Sequence, residues 1–230
     1  LIYEFQFAEV WRNFGALMWG AWLTVRLSGL SMILGLALAI ACNAWRALNP
    51  RIAAPVVDFY VELIRNTPFL VQVFLVFFGL PSAGIKLGAN QAAIIAMVLN
   101  VGAYASEIVR AGIDSIAAGQ VDAGLALGLR RHQIFRLIIL LPAVQAVYPS
   151  LTSQFLLLML TSSVLSVISA EELTAIADNI ASQSFRNIEV YIVVAGIYLF
   201  LSLAFAAVFA LAGRLLFRGH YAVLGRRGPN

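Results

Sequence analysis

A polar island, GQVDAGLALGLRRHQIFR at residues 119–136, divides a chain made otherwise of long apolar runs. The island is too polar to cross a bilayer. The runs around it approach the roughly 20 apolar residues that a spanning helix needs. This alternation leaves little room for a soluble core. The composition agrees: 62% of residues are hydrophobic and 11% charged, with a mean hydropathy of +0.91, against about 45–50% and 25% in soluble domains. The expectation is one all-α membrane domain over residues 1–230, with the island as a loop inside it.

Five spans are expected, near Ala21–Cys42, Val61–Leu80, Gln91–Ile113, Leu137–Val167 and Val190–Phe217. The opening YEFQFAEVWRNFGALMW mixes charges with aromatics and suits the membrane interface. The fourth span is over-long and holds Pro142 and Pro149, so a kink or a broken start is expected there. The polar SAEELTAIADNIASQSFRN precedes the fifth. Cys42 is the one cysteine, so no internal disulfide forms.

An odd number of spans puts the termini on opposite sides. With the C-terminus inside, the cytoplasmic segments hold Arg46, Arg51, Arg65, Arg110, Arg130, Arg131, Arg136, Arg214, Arg218, Arg226 and Arg227. The outside keeps Arg12, Lys86 and Arg186, while Arg26 lies in the first span and can snorkel outward. The positive-inside rule therefore predicts N-out, C-in. The basic balance reports topology, and no nucleic-acid partner is expected. On this assignment the island is cytoplasmic.

The island reads as an amphipathic helix. Asp122 is expected in its first turn, where a carboxylate suits the positive end of the dipole. Ala123, Leu125, Ala126, Leu127 and Leu129 give it a small apolar body. Gly128 is a helix stop or tight turn, and Arg130, Arg131, His132 and Gln133 offer polar groups beyond it. Such a helix fits a groove on a partner protein. An ordinary loop helix lying on lipid headgroups fits the same pattern.

The longer segment GQVDAGLALGLRRHQIFRLIILLPAVQAVYPSL resembles the EAA loop of the membrane subunits of ATP-binding-cassette (ABC) importers. Asp122-Ala123-Gly124 matches its start, Gly128 its glycine and Leu141-Pro142 its end. VELIRNTPFLVQVFLVFFGLP (61–81), YASEIVRAGIDSIAAGQ (104–120) and TSSVLSVISAEEL (161–173) are similar to the polar-amino-acid branch, the histidine/glutamine-type permeases. Asp122 stands where Glu is usual, Gly124 where a second Ala is usual, and Leu160 where Lys is frequent. A mid-helix glycine costs roughly 1 kcal/mol against alanine.

The resemblance implies a type I importer permease fold in a bacterial cytoplasmic (inner) membrane. It implies a second permease subunit, identical or homologous, two cytoplasmic ABC ATPase subunits and an extracytoplasmic amino-acid-binding protein. Gly119, Gln120, Asp122, Ala123, Gly124, Gly128, Arg130, Arg131 and His132 would couple to the ATPases. ATP and Mg would bind those partners, and this chain would carry no cofactor. Its nearest phosphate-loop string, GLPSAGIK at 79–86, lacks the Gly-Lys-Ser/Thr ending.

Polar side chains within the spans mark a candidate pathway for a polar amino acid. Counting from the loop near Ile85 puts Gln72 and Asn100 near mid-membrane, and Thr152, Ser153 and Gln154 follow Pro149 in the fourth span. Interhelical hydrogen bonding is the alternative reading of the same residues, and a commonplace one for such side chains. Glu62, Arg65, Glu107 and Arg110 fall near the cytoplasmic ends of spans two and three. They form either an inner gate or a structural charge layer, with i,i+3 pairing in each helix. An enzyme is not expected: His132 and His220, the only histidines, have no metal-site spacing. The rival reading is a secondary transporter or channel that works without ATP.

Overall fold

The computed structural model describes residues 4–217, without the side chain of Arg131. His220, Arg218, Arg226 and Arg227 lie outside the described residues. All regular structure within them is helical: α1 (Ala8–Arg12), α2 (Phe14–Leu48), α3 (Pro50–Arg65), α4 (Phe69–Ser82), α5 (Ala89–Asp114), α6 (Ala118–Ala126), α7 (residues 131–161), α8 (Leu173–Ser184) and α9 (Asn187–Leu216). A 3₁₀ stretch, Ser162–Ile168, extends α7. α2, α5, extended α7 and α9 are each long and apolar enough to cross a membrane.

The second span is not the continuous helix expected over Val61–Leu80. α3 and α4 meet at a bend of 110°, and together they make one broken span. The break follows from Pro68, which has no N–H for the carbonyl of Ile64 and disfavours helix in the residue before it. The opening segment also differs from expectation. Phe14–Trp19 already belong to α2, and only α1 is a separate surface helix. The segment ahead of α1 is tied to the start of α9: the Gln6 N–H donates to Glu189 Oε1 at 3.0 Å, and Arg186 Nη2 donates to Gln6 Oε1 at 2.7 Å.

Prolines shape the other spans as well. A wide π turn at Phe135–Ile139 lies ahead of Pro142, and another at Leu75–Gly79 lies ahead of Pro81. Each absorbs the helical hydrogen bond that the proline cannot donate. Pro149 sits inside α7 without ending it.

The core is built on α2. Gly20, Thr24, Ser28, Ser31, Gly35 and Ala39 recur at helical spacing, and all are buried. Small side chains let membrane helices approach closely, where dispersion contacts rather than water exclusion hold them together. A Cβ on Gly35 would stand 2.1 Å from Val101 Cγ1 and 3.3 Å from the Gly102 nitrogen. At that crossing α2 touches the backbone of α5. Further along, Asn43 Nδ2 donates to the Ser106 carbonyl and to Ser106 Oγ, both at 3.0 Å.

The polar stretch before α9 folds as helix α8 and packs on the first turns of α2. Glu172 caps it, accepting from the Thr174 and Ala175 N–H groups at 2.9 and 2.6 Å and from the Tyr198 hydroxyl at 2.8 Å. A carboxylate at this position satisfies the free donors of the helix start. Burial nonetheless pushes the Glu172 carboxyl above the usual carboxylate range, against the pull of those bonds. The Leu173 N–H donates to Thr24 Oγ1 at 3.1 Å, which joins α8 to α2.

Exposed tryptophans bracket α2: Trp19 and Trp22 near its start, and Trp45 near its end. From Trp22 to Trp45 the helix rises about 35 Å. That matches a hydrocarbon core of about 30 Å with interfacial aromatic belts on either side.

Candidate functional site

The loop after α5 carries the first candidate site. α6 is short and lies almost free on the surface. Of its residues only Gly124 is buried. Leu125 is 51% exposed, and Leu127, just past the helix, is 80% exposed. Gly119, Gln120, Asp122 and Ala123 are exposed too. Asp122 is the fifth residue of the helix, so it lies beyond the first turn where the dipole would favour it.

Gly124 stands where a second alanine would be usual, and packing explains it. A Cβ there would lie 2.7 Å from Ile138 Cδ1 and 3.2 Å from Ile134 Cγ1. Its absence lets α6 rest on the first turns of α7. Gly128 then ends the helix with φ of +75°. The Leu129 N–H donates to the Gly124 carbonyl at 3.1 Å, and the Gly128 N–H to the Leu125 carbonyl at 2.9 Å. These two bonds make a Schellman cap.

The next helix starts at once. Gln133 Oε1 accepts from the Arg130 N–H at 2.8 Å, the returning half of a capping box. Arg131 and His132 therefore belong to the first turn of α7 and not to the island helix. The capped turn sets the direction of α6 relative to the start of a spanning helix.

The second candidate site is at the broken span. Gln72 is buried, and its Nε2 donates to the Ile64 carbonyl at 2.7 Å and to the Thr67 carbonyl and Oγ1 at 3.0 Å. Its Oε1 accepts from Asn100 Nδ2 at 2.9 Å. The structure thus brings Gln72 and Asn100 together and engages both ends of the Gln72 amide. Asn100 lies about 16 Å along α5 from its start at Ala89, half the thickness of a bilayer core.

The α7 residues are arranged differently. Thr152 Oγ1 donates back to the Pro149 carbonyl at 2.8 Å. Ser153 is exposed and Gln154 half-buried. Among the described residues no hydrogen bond joins Ser153 or Gln154 to any partner, the Gln72–Asn100 pair included.

The charge layer forms only in part. Glu107 pairs with Arg110, and Arg110 Nη1 lies 3.5 Å from Asp114 Oδ2. Glu62 and Arg65 make no ion pair among the described residues. Arg65 instead stands over the Tyr104 ring, 5.7 Å from its centroid. Sequence reasoning missed the pair that ties α2 to α3, Arg46 Nη2 to Asp58 Oδ1 at 2.6 Å. The signal was an Asp on the apolar-periodic stretch after Pro50. Among the described residues no His, Cys, Asp and Glu group has a metal-site arrangement.

Comparison with known proteins gives a consistent picture. The chain is 34% identical over 202 residues to the glutamine transport system permease protein GlnP of Escherichia coli (strain K12), covering 87% of this chain and 92% of that one. It is 38% identical over 180 residues to the L-cystine transport system permease protein TcyB of Bacillus subtilis (strain 168), covering 78% and 77%. A crystal structure of an amino acid ABC transporter with histidines superposes with a TM-score of 0.86 at 30% identity, covering 92% of this chain and 99% of that one. The MetNI methionine ABC transporter, at 19% identity and a TM-score of 0.73, shares the fold. Residues 31–225 match the family model for binding-protein-dependent transport system inner membrane components, and the chain, a multi-pass inner-membrane permease subunit, belongs to that family.

Proposed function

We propose that this chain forms half of the translocation pathway of an ATP-driven importer of polar amino acids. The observation that carries the coupling role is α6: a helix with a single buried residue, held by a Schellman cap and a capping turn at the foot of a spanning helix. Its exposed Leu125 and Leu127 are suited to a groove on an ATPase subunit. The relatives that transport glutamine and cystine support an amino-acid substrate.

Two such chains pair, two ATPase subunits hold ATP and Mg, and a binding protein delivers the amino acid. Hydrolysis occurs on the ATPases. Their closure draws the two α6 helices together, and each helix transmits the motion to α7 through its capped turn. The result is alternating access between two states that the ligands bind unequally. The termini lie N-out and C-in, which puts α6 with the arginine-rich cytoplasmic ends and α8 outside.

Reconstitution in proteoliposomes tests the reading. With ATPase subunits and a binding protein, uptake of a polar amino acid requires ATP. Uptake by this chain alone, driven by an ion gradient, would establish the secondary-carrier alternative.

A further inference from the structure

A groove of about 520 Å³ runs between α2, α7 and α9, and every residue lining it is apolar. Gly29, Ile33 and Leu36 of α2 form one wall, and Phe155 of α7 with Phe205 and Phe209 of α9 form the other. The volume falls among ligand pockets of about 300–1,000 Å³. Along α2 the lining extends from Val25 to Leu36, a rise of about 16 Å. One leaflet of a bilayer core is about 15 Å deep.

Arg26 is not itself a lining residue, but helical spacing sets it at the edge of the lining stripe. It follows Val25 directly and precedes Ile33 by two helical turns. It lies one turn inward of the exposed Trp22, within reach of the headgroup layer by snorkelling. Its side chain is exposed and has no ion-pair partner among the described residues. A snorkelling guanidinium without a carboxylate partner in the chain is available to a lipid phosphate at the headgroup layer.

We infer that the groove binds an anionic phospholipid from the leaflet nearest α8, with one acyl chain along Ile33 and Phe205 and its phosphate on Arg26. Charge complementarity favours lipid over a second copy of this chain. In a two-fold interface through this groove the same faces of α2 and α9 would meet. α2 contains no Asp or Glu, and α9 has none after Glu189 at its start. A second copy would bring Arg26 no carboxylate from either helix. A phospholipid supplies both the anion and the apolar chain, and guanidinium–phosphate bonding is strong and bidentate.

The test is native mass spectrometry of the delipidated transporter complex titrated with phosphatidylglycerol and, separately, with phosphatidylcholine of the same acyl chains. The wild type is expected to hold phosphatidylglycerol about tenfold more tightly, the equivalent of one charge-assisted contact. Arg26→Gln removes the preference and Arg26→Lys keeps most of it. Ala204→Trp, which fills the groove from α9, weakens both lipids. Equal retention of the two lipids by wild type and Arg26→Gln overturns the proposal and leaves unspecific annular lipid. Efficient crosslinking between two copies through Ile33→Cys, in a Cys42→Ala background in native membranes, also overturns it and assigns the groove to a second copy.

Discussion

Gln72 Nε2 donates to the Ile64 carbonyl at 2.7 Å, the carbonyl that Pro68 leaves without its helical donor. The side chain stands in for a backbone N–H at the 110° break between α3 and α4. In a membrane interior such a carbonyl must be satisfied from within the protein.

Gln72→Leu keeps the volume and removes the donors. It is expected to destabilise the purified subunit by about 1–3 kcal/mol, the cost of leaving a buried polar group unpaired. Asn100→Ala should have a smaller effect, because Gln72 keeps its three contacts at the break. Thermal unfolding in detergent measures both, and an unchanged Tm for Gln72→Leu would remove the structural role.

Much of the architecture was legible because apolar length is the strongest signal a membrane chain carries. Spans three and five coincide with α5 and α9 to within three residues, and spans one and four fall on α2 and α7, which both start six or seven residues earlier. α2 begins earlier, because the aromatic Phe14–Trp19 continue the helix into the interface. The break at Asn66-Thr67-Pro68 was hidden, since a proline in an apolar run reads equally as a kink or a stop. What decides between them is Gln72, whose amide compensates the break from four residues beyond the proline. The α8 cap was hidden for a related reason. Glu172 looks like a loop acid by sequence, and only the packing of α2 and α9 over it shows a buried one. Gly124 appeared as lost helix propensity, while the fold uses it as a contact with Ile138.

Glu172→Ala removes the acceptor for the Thr174 and Ala175 N–H groups and for Tyr198. Cap loss alone costs about 0.5–2 kcal/mol. The Tyr198 hydroxyl loses one of its partners and keeps Thr174 Oγ1 at 2.9 Å, so the cap dominates and α8 is expected to loosen from α2. A lowered Tm together with faster hydrogen exchange in α8 is the expected result. Protection in α8 equal to wild type would show that packing on Gly20 suffices.

Gly128 separates backbone from steric effects. No atom stands within 4 Å of a Cβ placed there, yet φ is +75°. Gly128→Asn, which tolerates the left-handed region, should retain ATPase association and uptake. Gly128→Val should lose the Schellman turn, at a cost of about 1–2 kcal/mol in backbone strain, and uncouple ATP hydrolysis from uptake. Equal transport by both variants would remove the turn from the coupling path.

Cysteine accessibility tests the orientation. In a Cys42→Ala background, Ser82→Cys and Gln183→Cys lie at exposed positions at the α8 end, and Ala118→Cys at the start of α6. An impermeant thiol reagent added to intact cells should label the first two and spare the third. The opposite pattern would reverse the topology and place α6 away from any cytoplasmic ATPase.

Gln154 is the sharper test of the substrate pathway. Gln72 and Asn100 are engaged with each other and with the break, so their loss perturbs the fold whatever else it does. Gln154 is half-buried on α7 with no hydrogen bond among the described residues, and its amide is free to meet a zwitterion's carboxylate or ammonium. Gln154→Ala should therefore leave Tm, ATPase association and binding-protein affinity unchanged while lowering uptake. Loss of one hydrogen bond to a charged ligand group costs about 1.5–3 kcal/mol, tenfold or more in affinity. Uptake kinetics across binding-protein concentrations, for Gln154→Ala beside Ser153→Ala, resolve the contribution of each. Wild-type kinetics in both variants would take this face of α7 out of the pathway and assign it to contact between subunits.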